Sequence, residues 1–330
     1  MISSSGIIGT GAYLPSKKLN NSDLGKICKI SSKEIFTKTG IKFRRIAHKD
    51  ETASSMGYRA SVQAIKNSKI DKNEIDQVIC CSFSGEYIYP ALACKISQLL
   101  DLNEPGCFDV MANCTGFQTG LDIAFEKIKT SKNINKILVV AVAMQSRYID
   151  WRDKNSAIYF GDGASAAIVS RVKKNYGHLG SSLISNTKVY DAVRMRGGGS
   201  SFVTSNYLKK KNNQKYEISG LEVWKQVVTN QPKNIRLALK DAKLKPKDID
   251  YFIFHQANYN LIKFLMHRLE IPMNKTFITA NKYGNTADAS MGITLHEAVT
   301  KKKIKKNNIV LISGVGAGFI FGTTIIKWSY

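Results

Sequence analysis

Six cysteines and five histidines are the side chains of this 330-residue sequence best suited to nucleophilic or metal chemistry. Cys114 has the most informative surroundings: in Phe108-Asp109-Val110-Met111-Ala112-Asn113-Cys114-Thr115-Gly116-Phe117 a short apolar strand runs directly into a helical pattern. Phe117, Leu121, Ala124, Phe125 and Ile128 repeat at helical spacing, which puts Cys114 at or just before a helix N-terminus. Unpaired N–H groups and the positive end of the helix dipole favour thiolate over thiol there. Judged alone, the residue still reads first as a small apolar plug, because free cysteine is among the most buried residue types.

Two other positions change that balance. His255, in Phe252-Ile253-Phe254-His255-Gln256-Ala257-Asn258, follows the apolar run from Tyr251 and emerges at a strand's C-terminal end, where open α/β sheets place ligands. Asn285 follows Gly284 in Asn281-Lys282-Tyr283-Gly284-Asn285-Thr286-Ala287. Separately, these are a hydrogen-bonded core histidine and a tight turn. Their joint occurrence with Cys114 is harder to attribute to packing. The order Cys, His, Asn also fits a papain-like Cys hydrolase, but the Cys-Gly-Ser-Cys-Trp signature is absent, and that class remains a lesser alternative. No Cys-x-x-Cys or His-Glu-x-x-His unit occurs, so no metal is expected.

The elements that must position these residues alternate. Apolar strands at Gln77–Cys81, Lys136–Ala143 and Asn308–Ile312 are separated by helical patterns, including amphipathic stretches at 52–68 and 221–243, which reads as α/β. A chain of this length suggests about two lobes. Glu74-Ile75-Asp76 and Asp248-Ile249-Asp250 each follow a Lys-rich turn and lead into an apolar strand. Phe160-Gly161-Asp162-Gly163-Ala164 and Gly314-Val315-Gly316-Ala317-Gly318 are Gly-rich turns that each feed a strand. These echoes predict a tandem duplication with its seam near 171–178: residues 1–175 carry the cysteine, and residues 176–330 carry the histidine and asparagine. The stretch Lys188–Lys215 has no clear periodicity and reads either as a functional lid or as a plain surface loop.

The apolar content of 43% is ordinary for a globular protein. Six cysteines without a secretory leader argue against a disulfide framework, and no apolar run approaches the roughly 18 residues of a membrane span. The expectation is a cytoplasmic protein with no membrane association. A formal charge of +24 predicts an acidic partner, unless the lysines are merely solvated. No basic stretch interleaved with aromatics marks a nucleic-acid module, so no nucleic acid is expected.

Taken in order, Gly9-Thr10-Gly11-Ala12-Tyr13-Leu14-Pro15, Thr39-Gly40-Ile41 with Arg44-Arg45, the Cys114 elbow, Phe160 to Ala164, His255 to Asn258, Tyr283 to Thr286 and the terminal glycine turn match a known pattern. The chain resembles 3-oxoacyl-acyl-carrier-protein synthase III, the initiating ketosynthase of the thiolase superfamily. The resemblance covers nearly the whole chain and implies a thiolase-like α/β fold, two duplicated halves packed as a five-layer αβαβα core. It implies a homodimer and an acyl carrier protein as partner. No tightly bound cofactor is implied, only acyl thioesters of coenzyme A or the carrier protein. Cys114 would carry the acyl primer, with the backbone amides of Cys114 and Ala317 as oxyanion hole. His255 and Asn285 would hold the enolate formed when a malonyl thioester loses carbon dioxide. Asn258 and Phe160 would contact substrate, and Lys225 and Arg268, helped by Lys263 where a third basic position reads Asn260, would form the carrier-protein face.

Departures from the family pattern carry their own expectations. The tryptophan and arginine that usually clamp the adenine of coenzyme A are replaced by Glu34 and Lys154, near Lys38, so a flat clamp becomes a possible ion pair. Delivery of the primer on a carrier protein, or a different mode of coenzyme A binding, follows. Asp288 and Ala317 stand where small neutral residues or glycine are common. Tyr89 replaces a phenylalanine that reaches across the dimer to close the partner's acyl cavity. Its phenol either suits a modified or hydroxylated acyl group or packs with its hydroxyl in water. Two functional alternatives stay open: an acyltransferase delivering the acyl group to a hydroxyl or amine of a specialised metabolite, and a non-catalytic basic binding protein.

Overall fold

The computed structural model describes residues 4–195, 197, 199, 200 and 215–330. Most of the Lys188–Lys215 stretch, including Lys209 to Lys211, lies outside the described residues. Two larger sheets carry the architecture. The first has the order Ser4–Tyr13, Asp162–Val172, Lys136–Met144, Gln77–Cys81, Gly106–Val110. Its last three strands run parallel, and the Asp162–Val172 strand is antiparallel to both its neighbours. The second has the order Tyr251–Phe254, Ile309–Gly316, Ile320–Lys327, Gly177–Ser185, with only the first pair parallel.

Both sheets are covered on both faces, which is why their strands read as continuous apolar runs rather than as alternating patterns. In the Gln77–Cys81 strand, Ile79 and Cys81 face the core between the sheets, while Val78 and Cys80 face the helices Ala53–Ser68 and Leu92–Leu100. In the second sheet Ile253 faces the shared core, and Phe252 and Phe254 face the helices Gly220–Asp241 and Tyr259–Arg268. Between the sheets lie the helices Gly116–Thr130 and Ser290–Thr300, with Phe117, Leu121, Phe125, Ile293 and Leu295 buried among residues of both. The result is the α-β-α-β-α layering expected of the thiolase fold. Glycine lets the central helix approach the first sheet: a Cβ at Gly120 would lie 2.7 Å from Cys81 Sγ.

The two acidic echoes adopt one structure. Asp76 donates its N–H to Lys136 O (2.9 Å) and accepts the N–H of Lys136 at Oδ2 (2.9 Å). Asp250 donates to Ile309 O (2.9 Å) and accepts the Ile309 N–H at Oδ2 (2.7 Å). Each aspartate thus fixes the start of the neighbouring parallel strand. All six cysteines are free, and no helix among the described residues is long and apolar enough to cross a membrane.

Candidate active site

Cys114 sits in a 3-10 turn, Asn113–Thr115, between the Gly106–Val110 strand and the Gly116–Thr130 helix. Asn113 takes the left-handed conformation (φ +48°) that asparagine tolerates better than most residues. Thr115 closes the turn by donating its N–H and hydroxyl to Ala112 O, at 3.2 and 2.7 Å. Asn113 Nδ2 reaches Ala317 O at 3.2 Å and ties this elbow to the glycine turn of the second sheet. A Cβ at Gly316 would lie 2.8 Å from Ala112 O and 3.3 Å from Cys114 N, so glycine is what lets that turn approach the Cys114 amide.

The expected placement of Cys114 is found, but its predicted thiolate character is not. Burial raises the thiol pKa far above the usual cysteine range, and the Asp288 carboxylate raises it further. The hydrogen bond of the thiol to its own backbone N–H opposes this and is outweighed.

His255 follows the Tyr251–Phe254 strand, donates its N–H to Ser313 O (2.9 Å), and has Nδ1 2.6 Å from Ser290 Oγ. Burial lowers its pKa to about 4, so the ring is neutral near pH 7. The next residue holds the turn rigid: Gln256 Oε1 accepts the N–H groups of Thr279 and Ala280, and Nε2 donates to Phe254 O. Asn285 is braced by Phe160-Gly161. Its N–H donates to Tyr159 O (2.8 Å) and its carbonyl accepts from Gly161 N (3.0 Å). Gly284 (φ +73°) and Gly161 permit this crossing, since a Cβ on either would meet Tyr159 O or Tyr283 O at 2.8 or 2.2 Å. Asn285 Oδ1 accepts from Ala287 N (2.9 Å), which turns Nδ2 outward as a donor.

Cys114, His255, Asn285 and Ala317 line one cavity of about 230 Å³, together with Phe160 and Asn258. Residues 108–187 match the family model for 3-oxoacyl-(acyl-carrier-protein) synthase III, and residues 239–328 match the model for its C-terminal part. The beta-ketoacyl-(acyl-carrier-protein) synthase III of Fusobacterium nucleatum is 39% identical over 326 residues, covering 98% of this chain and 99% of that protein. The chain belongs to the 3-oxoacyl-(acyl-carrier-protein) synthase III family. The beta-ketoacyl-(acyl-carrier-protein) synthase III of Caldanaerobacter subterraneus is 37% identical, with 98% of each chain covered. The crystal structure of the Aquifex aeolicus 3-oxoacyl-(acyl-carrier-protein) synthase III superposes with a TM-score of 0.91 at 32% identity, over 98% of this chain and 100% of that one.

Of the other residues expected to have roles in this synthase III family member, Phe160 and Asn258 line the cavity and the rest lie outside its lining. Glu34 forms its ion pair with Lys38 (2.7 Å, one helical turn along) and not with Lys154, which lowers the Glu34 pKa only through its charge. Tyr89 is 84% exposed, beside the equally exposed Tyr87 and Ile88. Lys225, Lys263 and Arg268 are exposed on the helices Gly220–Asp241 and Tyr259–Arg268, and Lys225 is paired with Glu222 (2.9 Å). Asn258 has internal duties: Oδ1 caps the Tyr259–Arg268 helix at Asn260 N (2.7 Å), and Nδ2 donates to Lys38 O (3.0 Å). Among the described residues no group of three His, Cys, Asp or Glu is placed to hold a metal ion.

Sequence reasoning missed Ser290, Gln145 and Tyr216. Gln145 and Tyr216 line the cavity, and the Tyr216 hydroxyl donates to Gln145 Oε1 at 2.5 Å. Nothing in their spacing marks them, because Gln145 follows the Lys136–Met144 strand and Tyr216 comes from the distant Tyr216–Ile218 strand.

Proposed function

We propose that this protein condenses an acyl primer, held on Cys114, with malonyl-acyl carrier protein to give 3-oxoacyl-acyl carrier protein and carbon dioxide. The observation that carries this is the single cavity lined by the Cys114 elbow, a neutral His255 and the donor end of Asn285. The sulfur of Cys114 attacks the primer's thioester carbonyl while the N–H groups of Cys114 and Ala317 stabilise the oxyanion. The primer's thiol leaves with the proton that Cys114 gives up. A thiol raised by burial parts with that proton during the transfer instead of resting as thiolate.

In the second step the malonyl C–C bond breaks, carbon dioxide departs, and the electron pair enters a thioester enolate. His255 Nε2 and Asn285 Nδ2 donate hydrogen bonds to its oxygen, each worth roughly 3 to 4 kcal/mol of barrier by analogy with single oxyanion donors. This role needs the ring proton on Nε2, which Ser290 supports when its hydroxyl, accepting the N–H of Gln256 (3.3 Å), donates its own proton to Nδ1 at 2.6 Å. The enolate carbon attacks the acyl carbon, and the sulfur of Cys114 leaves and is reprotonated.

Several features support the wider reading as an acyltransferase of fatty acid biosynthesis acting in the cytoplasm as a homodimer. The exposed Tyr87-Ile88-Tyr89 segment suits cover by a second copy, with Tyr89 reaching the partner's cavity. Lys225, Lys263 and Arg268 offer an acidic carrier protein a basic face. The Glu34–Lys38 pair removes a flat adenine clamp and favours a primer brought by a carrier protein. A division into halves 1–175 and 176–330 falls in the turn joining Val172 to Gly177, and each larger sheet draws its strands from one side of it.

The test supplies carboxyl-labelled malonyl-acyl carrier protein and an acyl thioester. Labelled carbon dioxide and a 3-oxoacyl carrier product are expected. Cys114→Ala should abolish the product, and His255→Ala or Asn285→Ala should leave Cys114 acylation intact while slowing carbon dioxide release. Transfer of the acyl group to an alcohol or amine without that release would overturn the proposal.

A further inference from the structure

The cavity beside Cys114 is mostly carbon, with Phe83, Val193, Ile218 and Val223 in its wall, yet it holds polar atoms with no partner. Asp288 is 1% exposed, and neither Oδ1 nor Oδ2 has a hydrogen bond. Gln145 is fully buried; with Oε1 taken by Tyr216, its Nε2 has no partner. Tyr216 is fixed by stacking on Phe160, with ring centroids 5.1 Å apart and planes 13° from parallel. These side chains come from three separate parts of the chain and line the same cavity as the nucleophile. Asp288 lies close enough to Cys114 and Tyr216 for its ionised form to act on both, while burial favours its neutral form.

Buried donors and acceptors are nearly always paired, and a site that leaves them open discriminates against ligands that cannot pair them. A plain hydrocarbon chain on Cys114 would leave this amide N–H and carboxyl group without a partner. A hydroxyl resolves both, because one oxygen accepts from an amide and donates to a carboxyl. We infer that the primer of this protein is a short hydroxyacyl thioester, its hydroxyl held between Gln145 Nε2 and Asp288 beside the thioester on Cys114. This deepens the acyl-Cys114 reading of the same cavity and rests on it. The support is independent of Tyr89, which is exposed and does not line the cavity.

Pantetheine thioesters test this without depending on how coenzyme A or a carrier protein docks. The probes are butyryl-, 2-hydroxybutyryl- and 3-hydroxybutyryl-pantetheine, and intact mass follows the rate of acylation at Cys114. One of the hydroxyacyl probes should react at least about 100-fold faster than butyryl. Gln145→Leu and Asp288→Ala should each pull that ratio down towards one, chiefly by admitting butyryl. Butyryl reacting as fast as both hydroxyacyl probes in the unaltered protein would overturn the inference alone, as would a preference that survives both substitutions. Failure of all three probes on a protein whose Cys114 still takes iodoacetamide would overturn the acyl-enzyme reading itself, and this inference with it.

Discussion

His255 Nδ1 lies 2.6 Å from the hydroxyl of Ser290, the first residue of the Ser290–Thr300 helix in the layer between the two sheets. The orientation of one candidate catalytic ring is thereby tied to the buried centre of the molecule. Ser290→Ala should reduce the decarboxylation rate about 10-fold by freeing the ring and its tautomer. The rate of Cys114 acylation should not change. Single-turnover measurement of each step separates this positioning effect from general damage, which would slow both.

The neutral state of His255 makes a prediction about stability. Its folded pKa is lowered to about 4 from an ordinary value near 6.5, so the unfolded chain binds the proton more readily between those values. Stability is fully present above pH 6.5 and is lost as pH falls towards 4, by up to about 3 kcal/mol from this group. His178, also lowered to about 4 by burial, adds a loss of the same sign. Urea unfolding across that range should show the decline, and His255→Gln should make it shallower.

Asp288 opposes formation of the Cys114 thiolate. Burial pushes the Asp288 carboxyl itself well above its usual range, so the effect belongs to alkaline pH, where the group is ionised. Asp288→Asn keeps the shape and removes that charge, so iodoacetamide should alkylate Cys114 several-fold faster, about threefold to tenfold, at about pH 9 and above. Peptide mapping of the alkylated protein would read this directly. An unchanged rate would mean that burial alone sets the thiol.

Gly316 has no room for a side chain. Gly316→Ala would push its turn off Ala112 O and the Cys114 amide, each within 3.3 Å of the added carbon. Acylation should fall about 100-fold, as expected for a reacting group misplaced by an ångström. Far-ultraviolet circular dichroism should stay unchanged, because the glycine turn lies at the end of its strand.

Much of this was legible in the sequence because it depends on short-range rules. The apolar runs at Val78, Val139 and Val310 identified strands covered on both faces, and the spacing from Phe117 to Ile128 identified the helix behind Cys114. Cys114, His255 and Asn285, which line one cavity, stand out in the sequence because each is a reactive or turn-forming residue next to an apolar strand or a glycine. The partner of Glu34 was misassigned because the local i,i+4 contact with Lys38 prevails over the more distant Lys154. The acidity of Cys114 was misjudged for a similar reason: helix placement is local, but desolvation and the Asp288 charge depend on tertiary structure. Gln145, Tyr216 and Ser290 left no signal, since their neighbours in space are distant in the chain.

Asp76 and Asp250 carry a consequence beyond the strands they start. From the Asp250–Ile309 contact the two parallel strands run in fixed pairs, Tyr251 with Val310 through Phe254 with Ser313, and so deliver His255 beside the glycine turn. Asp76 likewise accepts the N–H of Gly106 at its carbonyl, the first rung of the strand that ends at the Cys114 elbow. Cys114 and His255 are therefore each measured out from an aspartate at the opposite rim of the sheet, through the Asp76 main-chain carbonyl in one case and the Asp250 carboxylate in the other. Substitutions there, far from any substrate, would alter the chemistry by shifting the strand register that decides where each group lands.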